Sequence, residues 1–445
     1  MPTSGWLDRA AGCAPDRTAV ETPSGSLSYG ELLGRARAGA AALQERGVQP
    51  GQAVAIALPA GLDFVSALHA CMLLGAAALP VDLRLAASER ERISAPASVL
   101  VDQPLPSEGV ELPPSLQAPA RHDLDATALI VHTSGTTAAP RPVELTYGNL
   151  FWSAIGSGVA LGIDPTERWL CALPLSHVGG LSILIRSVIG ATTAVVHERF
   201  ETDRVLQALM EQDVTLVSLV ATTLARLLDA GLQAPPKLRC ALTGGGPVPL
   251  ALVERARAAE VAVSTTYGLT ETCSQATTLP VAVLEEPATH TAGPPLFCTR
   301  LQIAEDGEIM ISGPTVAASA ELTNGWLATG DLGSLDERGW LTVIGRKADT
   351  IVSGGENVAP AEVEAVLEAH PHVLEAAVVG RPDEQWGEAV TALLVMHEGE
   401  ALDEEALAEH CRTALAPYKI PKRFTRLSDP LPRTPSGKLL RRELV

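Results

Sequence analysis

Thr133, Ser134, Gly135, Thr136 and Thr137 place four hydroxyls and one glycine one residue after the apolar stretch Ala128 to Val131. Glycine lets a main chain approach a phosphate, and hydroxyls with uncommitted N–H groups offer donors. Arg141, set between Pro140 and Pro142, adds positive charge close by. This chemistry suits a phosphate cradle, and a polar turn after a strand accounts for the same residues equally well. The nucleotide loop of pattern GxxxxGK[ST] is absent.

Other stretches carry comparable pairs of readings. In "TTYGLTETCS", Tyr267 could stack on a base, Thr270 could donate to a phosphate and Glu271 could hold Mg2+ through oxygen. A helix start capped by Thr270 is the plainer account. Asp331 follows a glycine in an expected turn, where a carboxylate can accept both hydroxyls of a ribose, or simply close an Asx-turn. Arg346 suits a phosphate or ribose contact, or a surface salt bridge worth about 1 kcal/mol or less. Ser353, Gly354 and Gly355 form a glycine loop, and Lys438 follows Ser-Gly in a basic tail that by itself reads as a solvated end. In "LPLSHVGGLSILIRSVIGA" only His177 and Arg186 interrupt the apolar run. A lone arginine on an apolar helix needs an anionic partner, either a local carboxylate such as Glu198 or a ligand.

These residues must be held by a chain of 445 residues with 46% hydrophobic content, enough for two or three cores. The formal charge of −19 argues against nucleic acid and anionic membrane surfaces, though a local pocket can still be basic. Seven cysteines, none in CxxC spacing, fit buried thiols in a reducing compartment. The first residues lack the pattern of a signal peptide. The longest apolar run, 64–81, is broken by His69, Gly75 and Pro80, so it reads as a buried helix followed by a strand. The expectation is a soluble cytoplasmic protein.

Helical and strand patterns alternate. "LSYGELLGRARAGAAALQERG" has helical periodicity and ends at Gly47. "QAVAIAL" suits a buried strand, "FVSALHACMLLGA" a helix and "AALPVD" a strand. The order helix, strand, helix, strand repeats through "DRVLQALMEQDV", "TLVSLV", "TTLARLLDAG" and "LRCALTGGG". Such alternation predicts α/β layers with mostly parallel sheets. The Pro-rich tract 94–123 reads as loop. Beyond about residue 345 the pattern becomes that of a compact α+β unit, joined at "IGRKADTIVSGG".

The order and spacing of these motifs together resemble the acyl-adenylate-forming superfamily, over nearly the whole chain. "TSGTT", "TGGGPVP", "YGLTET", "TGD", "GRKADTIVSGGENVAPAEVE" and "PSGKLLRREL" carry the resemblance. It implies a large N-terminal domain of layered sheets and helices, 1–346, and a smaller mobile α+β domain, 347–445. It also implies two half-reactions that use ATP, Mg2+ and coenzyme A. A carboxylic acid is adenylated, then its acyl group passes to the thiol. The implied roles are phosphate binding by Thr133, Ser134, Gly135, Thr136, Thr137 and Arg141. Adenine and ribose fall to Gly244, Gly245, Gly246, Tyr267, Asp331 and Arg346. Lys438, Thr270 and Glu271 are the implied catalytic residues, with Glu271 toward Mg2+. His177, Arg186 and Gly268 would line the acyl site, Ser353, Gly354 and Gly355 the coenzyme A side, and Lys347 and Ala348 the hinge.

One departure stands out. The family pattern after TSGTT is usually G-x-P-K-G, whereas here it is Ala138-Ala139-Pro140-Arg141-Pro142. The charge is kept, but Pro142 removes an N–H and stiffens the loop. The segment around His177 and Arg186 is most similar to the o-succinylbenzoate–CoA ligases of menaquinone biosynthesis, whose substrate is a dianion. An aryl- or medium-chain acyl-CoA ligase, a carrier-protein-loading adenylation enzyme and a non-catalytic nucleotide-binding relative are the alternatives. Homo-oligomerisation stays open.

Overall fold

The computed structural model describes residues 2–133, 141–284, 286, 291–383, 385–433 and 439–444. Two largely parallel sheets dominate the first part. One runs Val99–Val101, Ala53–Ile56, Ala77–Pro80, Thr127–Thr133, Arg141–Thr146, with only the last strand antiparallel. The other runs Thr277–Thr278, Val263–Tyr267, Cys240–Thr243, Leu216–Leu219, Arg168–Cys171, Thr193–Val196, Thr18–Thr22, Gly25–Ser28. Its middle strands are parallel, and its two edge strands are antiparallel.

The helices Tyr29–Glu45, Leu62–Leu74, Tyr147–Leu161 and Val178–Gly190 share one hydrophobic core with both sheets. Leu62–Leu74 is buried on nearly every side, as its continuous apolar sequence requires. Tyr29–Glu45 starts on a Ser28–Glu31 capping box and ends with Gly47 at φ +87°. No helix among the described residues is long and apolar enough to cross a membrane.

A third, antiparallel sheet holds Arg300–Ile303, Glu308–Ser312, Trp326–Leu335 and Leu341–Arg346, with Leu322–Thr323 at its edge. Alternation of helices and strands gave no sign of this unit. Its strands follow one another through turns with no intervening helix, so the parallel scheme stops at about residue 280. A fourth sheet, from Ile351–Ser353 to Arg423–Arg426, packs on the helices Pro360–Glu368 and Glu404–Ala414 around a separate core.

The Pro-rich tract 94–123 contains only the short strands Val99–Val101 and Arg121–Asp123 and the single turn of helix Pro114–Gln117.

Candidate active site

Parallel strands deliver their following loops to one sheet edge, and ligands bind beyond the carboxyl ends of such strands. Thr127–Thr133 leads into the TSGTT run, Cys240–Thr243 into the three glycines, Val263–Tyr267 into GLTET, and Arg168–Cys171 into the segment ending at His177. Ser134, Gly135, Thr136 and Thr137 lie outside the described residues, as does Lys438. The strands on either side of the run pair antiparallel, with Thr133 opposite Arg141 and the Thr133 hydroxyl 3.4 Å from the Arg141 carbonyl. The strand Arg141–Thr146 packs beside the turn Thr270–Thr272, so the base of the hydroxyl-rich hairpin adjoins Glu271.

Gly244 lies against the neighbouring strand. A Cβ there would stand 2.6 Å from the Thr266 carbonyl oxygen, so glycine is what lets this turn reach the YGLTET segment. Gly245 adopts φ +80°, and Gly246 faces open space. Gly268 is the tightest position of the loop, with its missing Cβ 1.7 Å from the Ser274 carbonyl oxygen. Thr270–Thr272 forms one turn of 3-10 helix. Its capping hydroxyl is that of Thr272, which accepts from Leu269 N at 2.9 Å, and the Thr270 side chain makes no cap. The half-buried Glu271 carboxylate has no hydrogen bond or ion pair among the described residues, while its carbonyl accepts from Ala317 N at 2.8 Å. A hard oxygen donor with lone pairs to spare fits Mg2+, which takes one or two protein carboxylates and leaves its other positions to phosphate and water.

Asp331 does not sit in a turn. It lies inside the strand Trp326–Leu335, 6% exposed, in register opposite Arg346. Its Oδ1 accepts from Arg346 Nε at 2.8 Å and its Oδ2 from the Tyr267 hydroxyl at 2.7 Å. Burial, then the Asp331 charge, push the Tyr267 phenol well above its ordinary pKa. Two residues of one strand pair and a tyrosine from a distant strand thus form one hydrogen-bonded row. A carboxylate accepts from several donors at once, which is the chemistry that hydroxyl recognition needs.

Arg186 lies in the helix Val178–Gly190 and is 8% exposed. It has no carboxylate partner among the described residues, so the pairing with Glu198 is not made. Its contacts are the Ser153 hydroxyl at 3.4 Å and the Trp169 ring, 5.4 Å from the guanidinium carbon to the centroid. Its Nε has no hydrogen-bond partner. Burial pushes its pKa down to about 10. Ser153 in turn donates to the Cys273 carbonyl at 2.7 Å, which ties Arg186 to the end of the GLTET turn. Tyr29 anchors the same helix end through the Ser187 and Thr192 carbonyls, at 2.8 and 2.6 Å. Ser153 and Trp169 carried no sequence signal, because a serine and a tryptophan in apolar runs look like packing.

His177 is the N-cap of this helix. Its Nε2 lies 3.5 Å from an Arg84 terminal nitrogen. Arg84 forms a two-point ion pair with Asp82, which also accepts from Ser176 at 3.2 Å. Burial raises the Asp82 carboxyl, but the Arg84 and Ser176 hydrogen bonds outweigh it and hold the pKa at about 2.

Ser353, Gly354 and Gly355 end the strand Ile351–Ser353 and form the two-residue turn to Glu356–Val358. Both glycines have positive φ, +61° and +85°, as this hairpin turn demands. Gly354 abuts Trp386, 3.0 Å from where a Cβ would sit, and donates its N–H to the Trp386 carbonyl at 2.8 Å. Lys347 and Ala348 lie in the short turn Lys347–Asp349. Lys347 is paired with Asp306 and Glu308 at 2.6 and 2.8 Å, and these raise its pKa. Asp349 accepts from Arg441 at 3.2 Å, and Arg441 also grips Glu364 through both terminal nitrogens.

The family model described as AMP-binding enzyme matches residues 7–101 and 93–319, and that of the AMP-binding enzyme C-terminal domain matches 362–438. A 2-succinylbenzoate–CoA ligase of Bacillus subtilis (strain 168) is 40% identical over 99% of this chain and 97% of its own length. The o-succinylbenzoate CoA synthetase of Bacillus subtilis, solved in complex with the acyl-adenylate intermediate OSB-AMP, shares the fold. Its TM-score is 0.90 and its identity 39%, over 100% of this chain and 98% of the other. The structure of that synthetase with ATP and magnesium ion matches at TM-score 0.88 and 38% identity, over 100% of both chains. Matched in this way from end to end, the chain belongs to the AMP-binding enzyme family and is a homologue of the 2-succinylbenzoate–CoA ligases.

Proposed function

We propose that the chain is an AMP-forming ligase that joins 2-succinylbenzoate to coenzyme A through its succinyl carboxylate. The substrate carboxylate oxygen attacks the α-phosphorus of ATP, and pyrophosphate leaves. The coenzyme A thiolate then attacks the acyl carbon, and AMP leaves with the bonding electrons. A carboxylate is already anionic, so the first step needs no general base and rests on positioning and charge neutralisation. Magnesium, when bound with ATP, neutralises phosphate charge. Glu271 supplies an oxygen donor for it, and Lys438 supplies a compact charge between carboxylate and phosphate. Tyr267, Asp331 and Arg346 hold the nucleoside, with the three glycines beside them, and Thr133 and Arg141 flank the phosphates.

The observation that carries the choice of acid is Arg186. A buried guanidinium with an unsatisfied Nε and no carboxylate beside it costs stability. A dianionic substrate repays that cost, because one carboxylate can be activated while the other meets Arg186. Gly268 and His177 line the remaining acyl site. A monoanionic substrate gives Arg186 no task.

The joint between the two domains is placed at Lys347. The separate core beyond residue 350 and the C-terminal family match from 362 support it. Rotation about Lys347 and Ala348 would exchange Lys438 for the Ser353–Gly354–Gly355 turn at the site. A cytoplasmic location belongs to the same reading, and seven cysteines without a disulfide suit it.

Pyrophosphate release with ATP, Mg2+ and a panel of acids tests the proposal: o-succinylbenzoate, benzoate, 4-hydroxybenzoate, coumarate and octanoate, with and without coenzyme A. Strong preference for o-succinylbenzoate is the expected result. Preference for a monoacid would overturn the choice of substrate, and silence across the panel would overturn the ligase.

A further inference from the structure

We infer that Arg441 is a positioning residue for the adenylation step: it fixes the stretch that follows Lys438 to the turn Lys347–Asp349 and to the helix Pro360–Glu368, and acts on the reaction through that lysine. The inference rests on the proposed role of Lys438.

Arg441 opens the short turn Arg441–Glu443, three residues after Lys438. Its side chain is 20% exposed, and all three guanidinium nitrogens are engaged. Nε pairs with Asp349 Oδ2 at 3.2 Å. One terminal nitrogen donates to Glu364 Oε2 at 2.7 Å. The other donates to Glu364 Oε1 and, at 2.9 Å, to the Val378 carbonyl. The buried Glu364 also accepts the Val378 N–H at 2.6 Å. Val378 lies in Val373–Asp383, an edge strand of its sheet, so Arg441 and Glu364 together satisfy both main-chain groups of one residue on that edge. Other contacts seat the same tail on the sheet. Leu439 pairs antiparallel with Arg433, and the Leu440 N–H donates to the Pro432 carbonyl at 2.8 Å. Glu375 accepts from the Leu431 N–H at 3.1 Å and from Arg433 at 2.8 Å. Leu431, Leu439 and Leu444 pack with Ala377, Val379 and Leu393.

What Arg441 adds to these contacts is orientation relative to the proposed pivot. Two parallel hydrogen bonds to one carboxylate fix the plane of a guanidinium, and its Nε edge then points one way, here toward Asp349. Asp349 follows Ala348 in the chain, so under the proposed rotation it travels with the helix Pro360–Glu368 and with the tail. The rotation thus carries Lys438 at a fixed offset from the pivot. Adenylation depends on a charge placed between carboxylate and phosphate, and a misplacement of about 1 Å can cost roughly a hundredfold in rate. The thioester step, assigned to the Ser353–Gly354–Gly355 side of the domain, does not use the lysine and is indifferent to that offset. A residue that served only the stability of the C-terminal unit would affect both steps alike.

Single turnovers test this. In Arg441→Met, acyl-adenylate formation from ATP, Mg2+ and o-succinylbenzoate should fall about 10- to 100-fold. Thioester formation from preformed acyl-AMP should stay close to that of the unaltered enzyme. In Lys438→Ala, the same substitution should add little further loss, because a positioning residue then has nothing to act through. Equal loss in both half-reactions, or a full multiplicative loss in the double variant, would overturn the inference. Arg441→Lys keeps the charge without the fork and should show the same selective loss; a full adenylation rate there would also overturn it. If Arg441→Met fails to fold, Arg441→Lys and Asp349→Ala carry the half-reaction comparison. Amide hydrogen exchange at Leu440 reads the tether without any substrate. It should be faster in Arg441→Met, or in Arg441→Lys if the former does not fold, and unchanged exchange would overturn the inference. Absence of pyrophosphate release from the unaltered enzyme would count against the ligase reading, and the exchange measurement would then decide the tether by itself.

Discussion

Tyr267 donates its phenol proton to Asp331 across 2.7 Å, and the same carboxylate receives Arg346 on its other oxygen. Sixty-four residues separate the tyrosine from the aspartate, yet they form one hydrogen-bonded row. Tyr267→Phe removes one hydrogen bond and leaves the ring. An interaction of this kind is worth about 0.5–1.5 kcal/mol net, somewhat more to a charged acceptor. The expected result is a KM for ATP raised roughly three- to tenfold with kcat little changed, by steady-state pyrophosphate release. Asp331→Ala should weaken AMP binding by more, since it also strands Arg346; calorimetric titration with AMP checks this.

Arg186→Met separates binding from folding. The guanidinium is buried without a carboxylate partner among the described residues, so an apolar replacement of similar volume should leave the thermal midpoint unchanged or raise it. The KM for o-succinylbenzoate should rise about 10- to 100-fold, the value of roughly 1.5–3 kcal/mol for a charged hydrogen bond. A lower midpoint with unchanged KM would show that Arg186 serves packing.

Lys438→Ala should cost adenylation about 3 kcal/mol or more of transition-state stabilisation. Thioester formation from preformed acyl-AMP should persist. Equal loss in both half-reactions, measured in single turnovers, would remove the lysine from its assigned step.

Acid should destabilise the N-terminal core through His69 and His122. Burial holds both at a pKa of about 4, with the other histidine adding to the shift at His69. The unfolded value is near 6.5. Above it both rings are neutral folded or unfolded, so the full stability is present. As pH falls from about 6.5 toward 4, the unfolded chain binds protons that the native chain refuses, and stability drops. The loss approaches roughly 3 kcal/mol per ring, at 1.36 kcal/mol per unit. Denaturant midpoints between pH 7.5 and 5 should fall accordingly, and His69→Met should reduce the slope.

A rigid substitution at the joint should act on turnover. Ala348→Pro fixes a dihedral that the proposed rotation must change. Overall thioester formation should slow, while each half-reaction measured separately is affected unequally. Unchanged rates in both would argue against a pivot there.

The parallel layers were legible because their strands are short apolar runs and their helices have clear periodicity: 53–56, 77–80, 216–219 and 240–243 all fall where alternation puts them. The site motifs were legible as a set and ambiguous singly. Asp331 illustrates why. "TGD" reads as a turn, but the register with Leu341–Arg346 makes it a strand, and pairing across a sheet leaves no local trace. The same holds for Arg186, whose lack of a carboxylate partner among the described residues is a fact about its neighbours and not about its own helix. Asp82 and Arg84 escaped notice because an acid and a base two residues apart on a loop usually serve only each other.

The turn Lys347–Asp349 has a further consequence. Its first residue is bound by Asp306 and Glu308 to the antiparallel sheet, and its last by Arg441 to the short turn Arg441–Glu443 near the C-terminus. Both attachments are ionic, with Ala348 alone between them. If the proposed pivot is right, it is a swivel clamped by charge on each side. Salt screens exposed pairs most strongly, so ionic strength would then become a dial on how tightly each proposed half grips the axle between them.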